Sequence, residues 1–153
     1  MKNVFLYLFI LSCMLFDEAM SKETITFEII GKSIRSDTIN LPSGKKFVSF
    51  KHEGGFKSSI AKYGTYFCTG NIFYNAENLL EDMTFICENI DQNGDKFWQI
   101  GKRNKGSEMD IAVGESVIFE AEGFWKDFIG TVCTYAVEYL NETLFVSVKC
   151  IKS

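Results

Sequence analysis

The sequence predicts an all-β fold, a disulfide-stapled antiparallel β-sandwich or barrel. Runs of β-branched and aromatic residues alternate with polar turn residues along the chain, which is typical of antiparallel strands. Four cysteines stand at opposed positions of two such hairpins, and helical periodicity is scarce. About eight or nine short strands in one domain indicate a sandwich or a barrel.

The N-terminal residues 1–21 have the pattern of a secretory signal peptide. Lys2 precedes an apolar run over 4–16, and the small-residue segment Ala19-Met20-Ser21 follows it. The run is shorter than the roughly 20 residues that a transmembrane helix needs. We therefore expect no membrane span, and a single secreted, extracellular β domain over 22–153.

Composition excludes two classes of protein. The chain of 153 residues is 46% hydrophobic, which is too apolar for a disordered protein. It carries 16 basic against 20 acidic side chains, a net charge of −4. Because an acidic domain offers no electrostatic footprint for phosphates, nucleic acid is not an expected partner.

The first elements follow from hydrophobic alternation. Residues 24–30 alternate apolar and polar side chains, as a half-buried strand does. Residues 46–52 continue this pattern, again as a predicted strand. Further along the chain, Asn75 is a suitable N-cap, so residues 77–82 are predicted to form one or two helical turns.

The first cysteine pair follows from a predicted hairpin. Segments 64–74 and 83–90 are rich in β-formers and flank the polar stretch 75–78. If they fold back about that stretch, Cys68 lies opposite Cys87. Facing Cα atoms in an antiparallel pair lie about 4.5 to 5.5 Å apart, within reach of a disulfide.

The second cysteine pair follows in the same way. Segments 131–139 and 143–150 flank the turn 140–142, and folding about it places Cys133 opposite Cys150. Each bridge closes a short loop and is expected to contribute about 3 kcal/mol by restricting the unfolded chain. Two disulfides indicate an oxidising compartment.

The remaining strands lie between these hairpins. The sequence at 91–95, rich in Asp, Asn and Gly, predicts a tight turn that leads into a strand over 96–101. Residues 109–113 and 116–121 are predicted as two short strands around Gly114.

Two segments of the domain share a sequence pattern. Both 46–90 and 115–151 contain Phe-x-x-Glu-Gly, then Gly-Thr before a cysteine, then a second cysteine on the return strand. The pattern indicates duplicated hairpin-containing halves, with chance similarity of strand and turn residues as the alternative. It also gives Glu53 and Glu122 matching places, the basis of the weakest functional hypothesis, a secreted hydrolase with paired carboxylates.

An aromatic segment is the first candidate binding surface. Phe124, Trp125 and Phe128 are concentrated in six residues between two glycines. If exposed, they form a contact surface for a protein or lipid partner. If buried, they plug the core at a bend between strands.

A basic loop and a sequon are the other candidate surface sites. Lys102, Arg103 and Lys105 could hold a sulfated glycan or an anionic headgroup, or could form an ordinary solvated turn. Asn141 begins the sequon Asn-Glu-Thr in a predicted surface turn, so the chain is expected to be a glycoprotein modified at Asn141.

The sequence therefore predicts a secreted, non-enzymatic binding protein whose partner is an extracellular protein, a glycan or a lipid. It contains one histidine, His52, and none of the nucleophile, phosphate-binding or zinc-protease motifs, so no cofactor or metal is expected. The alternative is an extracellular carrier of a small hydrophobic ligand, since aromatic residues such as Tyr135 and Tyr139 suit a lipocalin-like barrel. The chain lacks the Gly-x-Trp motif that this family carries near its first strand. A carrier requires an apolar cavity of about 300 Å³ or more.

Overall fold

A computed structural model describes residues 23–106 and 111–152, which form eight antiparallel strands closed into one barrel in chain order. The strands are β1 (Thr24–Asn40), β2 (Lys46–Ser58), β3 (Tyr63–Tyr74), β4 (Leu80–Asp91), β5 (Lys96–Arg103), β6 (Ile111–Ala121), β7 (Val132–Leu140) and β8 (Thr143–Ile151). The all-β antiparallel prediction is confirmed, and of its two forms the barrel is the one adopted. The predicted signal peptide, 1–21, lies outside the described residues.

The first and last strands close the barrel. Residues from Thr24 to Lys32 of β1 pair with β8, from Ile151 back to Thr143. Beyond Lys32 the rest of β1 pairs with β2 alone. Residues 33–40 of β1 therefore form an arm that projects past the end of β8.

Both disulfides join the cysteines predicted from the hairpin registers. Cys68 faces Cys87 between β3 and β4, with Cα atoms 4.0 Å apart. Cys133 faces Cys150 between β7 and β8, with Cα atoms 3.9 Å apart. All four cysteines are buried inside the barrel, where they staple its wall from within.

Glycines let the barrel carry large rings inside a narrow lumen. The hydroxyl of Tyr66 lies against Gly31, and the ring of Tyr135 lies against Gly114, so a methyl group at either glycine would overlap the tyrosine. Rings laid over glycines in this way fill the interior while the strands coil tightly.

Two local predictions are corrected by strand pairing. Residues 77–82 are not helical, because the carboxamide oxygen of Asn75 accepts the backbone N–H of Glu77 and Leu79 in a tight loop. β4 then begins at Leu80, which pairs with Tyr74. Residues 111–121 form one strand, where two were predicted around Gly114.

One end of the barrel is plugged by the 3-10 helix Gly123–Phe128 between β6 and β7. Trp125 is 0% exposed, and its ring centroid lies 4.4 Å from that of Phe97 and 6.0 Å from that of Phe27. Phe128 is buried beside it. We call this segment the plug, and the opposite end of the barrel the mouth. In the described part of the chain, no helix has the length and apolar character needed to cross a bilayer.

Candidate functional site

The mouth of the barrel contains two connected spaces. The inner one is the lumen, a cavity of about 80 Å³ lined by side chains from all eight strands. The outer one is a groove of about 580 Å³ between the β1 arm and the β7–β8 turn. Four side chains line both spaces and form the neck between them: Phe50, His52, Arg103 and Tyr139.

The groove exists because the β1 arm bends over the mouth. The pairing of β1 with β2 shifts register between Ser33 and Arg35, which leaves Ile34 as a bulge at the point where β1 leaves β8. The backbone N–H of Ser33 donates to the carbonyl of Glu142, 2.9 Å away, and ties the arm to the β7–β8 turn. Bulges increase the local twist of a strand and redirect its side chains.

Apolar residues form the floor of the groove. Val48 of β2 and Ile72 of β3 line it beneath the arm, together with Ile34 from the bulge. Phe50 and Ile72 also belong to a cluster of buried hydrophobic residues, separate from the larger cluster that contains Trp125. The groove thus has an apolar surface that water covers at a free-energy cost.

Arg103 is a buried cation in the neck. It is 6% exposed, and its Nη2 donates to the hydroxyl of Tyr139, 2.9 Å away. The guanidinium carbon lies 5.5 Å from the centroid of the Tyr139 ring, in range of a cation–π interaction. A guanidinium offers five N–H donors in a planar fork, which suits recognition of oxyanions.

His52 stands beside this arginine as a neutral side chain. Its ring stacks on Phe50 with centroids 4.6 Å apart and lies 6.1 Å from that of Tyr139. Burial, and then the positive charge of Arg103, lower the pKa of His52 from 6.5 to about 4. At neutral pH the imidazole therefore contributes one donor and one acceptor to the neck.

Two tyrosines face the lumen below the neck. The hydroxyl of Tyr135 donates to the carbonyl of Lys102, 3.1 Å away. The hydroxyl of Tyr66 is buried and has no hydrogen-bond partner among the described residues. Burial raises the pKa of both phenols, so both hydroxyls are protonated at neutral pH.

The lining of the groove is richer in basic side chains than the protein as a whole. Arg35 and Arg103 are the two arginines of the chain, His52 is its one histidine, and all three line the groove. The Nε of Arg35 donates to the carboxylate of Asp37, 2.6 Å away, on the exposed arm. Glu142 is the one acidic side chain among the described residues that line the groove.

The structure buries two residues of the predicted aromatic surface and leaves the third exposed. Trp125 and Phe128 fill the plugged end of the barrel, because a closed barrel needs apolar side chains over its open cross-section. Their burial removes them from any contact surface. Phe124 is 42% exposed, and Lys62 Nζ lies 4.2 Å from its ring centroid.

The three residues of the predicted basic loop do not share one surface. Lys102 and Arg103 point to opposite faces of β5, since successive side chains of a strand alternate. Lys102 and Lys105 are exposed on the outside, whereas Arg103 enters the neck. The loop thus contributes one side chain to the groove.

Asn141 occupies the first position of the β7–β8 turn, with φ of 56° and an exposed side chain. It also lies at the rim of the groove. Asparagine tolerates this left-handed conformation better than most residues. Its glycosylation stays a prediction.

The structure does not bring together the carboxylates of the hydrolase hypothesis. Glu53 lies in β2 with its carboxylate 3.2 Å from Lys32 Nζ, whereas Glu122 lies next to the plug, after β6. Within residues 23–106 and 111–152, no three His, Cys, Asp or Glu side chains converge as a metal site.

Sequence reasoning missed the site formed by the groove. Arg35, Val48 and Ile72 gave no motif, and His52 was notable only as a single histidine. The signal that does exist is the concentration of both arginines and the histidine in strands that later converge. Without the closure of β1 on β8 and the bulge at Ile34, that convergence is not visible in the sequence.

Comparison with known proteins supports the fold alone. No family model matches the chain, and no match is found among curated protein sequences. A similar solved structure is the crystal structure of a conserved protein of unknown function from Rhodopseudomonas palustris, with a TM-score of 0.66 and 10% sequence identity. The similarity covers 86% of this chain and 98% of that one, so the two proteins share the barrel over most of their length.

Proposed function

We propose that this chain is a non-catalytic binding protein that holds a small amphipathic molecule in the groove at the barrel mouth. The observation that carries the proposal is the neck. There a buried guanidinium, an imidazole and a phenol converge beside the apolar side chains of Ile34, Val48 and Ile72. A few convergent polar groups within an apolar concavity are the usual composition of a small-molecule site.

The volumes favour the groove over the lumen as the ligand site. At about 80 Å³ the lumen is too small for the roughly 300 Å³ that a carrier cavity requires. The groove, at about 580 Å³, lies within the usual range for ligand sites. A lipocalin-like carrier that encloses its ligand in the barrel is therefore less favoured than a binder that holds it at the mouth.

The titratable groups of the neck favour binding over catalysis. The shifts of His52 and Tyr135 are opposed in direction, a pattern that can mark an active site. Both shifts have burial as their main cause, and both leave a neutral group at pH 7. A general acid or base works best with a pKa near the working pH, which neither group has.

The two disulfides support an oxidising compartment. Bridges of this kind persist in oxidising environments, which include the extracellular space. Together with the signal-like residues 1–21, they support secretion of the mature domain.

A neutral fluorescent probe tests the proposed function. We expect N-phenyl-1-naphthylamine to bind the full mature chain with a rise in fluorescence, because it moves from water onto apolar surface. Thr38→Trp places a large ring in the groove and should abolish most of this binding, since Thr38 lines the groove and is exposed. Thr24→Trp, on an exposed position of the same strand near the plugged end, is the matched control and should leave binding unchanged.

Two outcomes contradict the proposal. One is the absence of saturable probe binding to a correctly disulfide-bonded protein. The other is equal binding by the Thr38→Trp and Thr24→Trp variants, which would place the probe elsewhere on the barrel.

A further inference from the structure

We infer that the molecule held in the groove is an organic acid, with its oxyanion at the neck against Arg103 and its apolar body along the floor of the groove. This inference rests on the proposed function and specifies its ligand class.

The charges around the groove favour an anionic ligand. The protein is acidic overall, with a net charge of −4, yet Arg103 is a buried cation in the neck. Arg35 at the outer wall is paired with Asp37, and Glu142 is the one carboxylate among the described residues that line the groove. Low-dielectric walls of one sign of charge concentrate counter-ions of the opposite sign in a cleft. A ligand that carries a negative charge is therefore favoured over a neutral or cationic one.

The guanidinium of Arg103 is ordered and has the shape to bind an oxyanion. Arg103 is held in place by its bond to Tyr139, 2.9 Å long, so part of the entropy cost of ordering the guanidinium is met before a ligand arrives. A planar fork of donors matches the two oxygens of a carboxylate or of a related oxyanion. Neutral His52 offers a further hydrogen bond at the same depth without opposing the anion.

The apolar side chains of the groove favour a ligand that also has an apolar body. Above the neck, Ile34, Val48 and Ile72 line the groove, so a ligand with only an acidic group would leave these side chains in water. Below the neck, the lumen of about 80 Å³ has room for little more than a few waters. The apolar body must therefore extend outward along the arm.

Competition against the neutral probe tests the ligand class. Decanoate and decanol have the same chain length and differ in the charge of the head group at pH 7.5. We expect decanoate to displace N-phenyl-1-naphthylamine with an inhibition constant at least about tenfold lower than that of decanol, as charge-assisted hydrogen bonds predict. Acetate, which has the carboxylate without the chain, should displace no probe at the same concentrations.

Substitutions of the arginines test whether they cause the preference for decanoate over decanol. Arg103→Met should reduce the ratio between the two inhibition constants to about one, and Arg103→Lys should retain part of it. Arg35 has an exposed side chain, so Arg35→Gln leaves the core intact and should lower the ratio several-fold. Lys126→Gln removes an exposed cation of the plug, at the opposite end of the barrel, and should leave the ratio unchanged.

Three results overturn the inference. Equal displacement by decanoate and decanol would mean that the groove binds small apolar molecules without regard to charge, and the proposed function would then stand alone. An acid preference that persists in both Arg35→Gln and Arg103→Met would place the head group elsewhere. Displacement by acetate as strong as that by decanoate would indicate a simple anion site.

Discussion

Replacement of Trp125 by alanine tests whether the plug is part of the core. Its indole is fully buried and packs against Phe27, Phe97 and Phe128, with the nearest ring centroid 4.4 Å away. Truncation of such a side chain costs about 3 to 5 kcal/mol. The indole N–H has no acceptor among the described residues, and its removal returns about 1 kcal/mol.

The expected loss in the free energy of unfolding is therefore about 3 kcal/mol. Urea unfolding of the disulfide-intact protein, followed by far-UV circular dichroism, measures it. With a slope of about 1.5 kcal/mol per molar urea, the midpoint should fall by about 2 M without a change in slope.

Two matched variants separate the contribution of the buried ring from that of the indole N–H and from that of an exposed neighbour. Trp125→Phe keeps an aromatic ring and removes the unpartnered N–H, so it should cost no more than about 1 kcal/mol. Phe124→Ala changes a side chain that is 42% exposed and should also cost about 1 kcal/mol or less. If Trp125→Ala proves no more destabilising than Phe124→Ala, the segment is not a plug and the contact-surface hypothesis for both residues returns.

Three further predictions concern charge and cross-links. Because the pKa of His52 is lowered to about 4, the contribution of neutral His52 to the free energy of unfolding is fully present above about pH 6.5. It is lost as the pH falls toward 4, by at most about 3 kcal/mol. His52→Gln should abolish this pH dependence in urea midpoints measured across that range. Asp91 is buried, and although burial alone acts to raise its pKa, the ion pair with Lys62 at 2.9 Å and two backbone N–H bonds lower it. Asp91→Asn should therefore cost about 3 kcal/mol at pH 7 and remove the loss of stability as the pH falls below about 3.9, which acid titration of unfolding would show. Replacing both Cys133 and Cys150 by serine should cost about 3 kcal/mol in the same assay, and a loss below 1 kcal/mol would contradict the entropic account of the bridge.

Features set by local register were the ones that the sequence predicted correctly. Cys68 and Cys87 lie on strands joined by a short polar loop, and such a loop fixes which positions face each other. The same kind of pairing between chain neighbours recurs around the described barrel, although the sequence left open whether the strands form a sandwich or a barrel. Hairpins of this kind need no information from distant parts of the sequence.

Features set by distant contacts were not predictable in this way. The helix expected over 77–82 does not form, because Leu80 pairs with Tyr74 in the sheet. Strand pairing here overrides a weak local preference for helix. The groove depends on Ser33 meeting Glu142, residues that the chain brings together only when the barrel closes. Arg103 was singled out as part of a basic loop, but its direction into the neck depends on the phase of β5.

The position of Arg103 separates function from stability and allows a last prediction. A buried guanidinium loses its hydration, and an apolar side chain of similar volume is often as stabilising or more so. In Arg103→Met the phenols of Tyr139 and Tyr135 each lose a hydrogen bond with the guanidinium, which costs about 1 kcal/mol each, while the methionine side chain regains apolar packing. We therefore expect the free energy of unfolding of this variant to lie within about 1.5 kcal/mol of the original while its preference for decanoate disappears. A loss above about 3 kcal/mol would show that the arginine holds the barrel together, whereas a stable variant without acid preference would show that the protein retains a buried charge for its ligand.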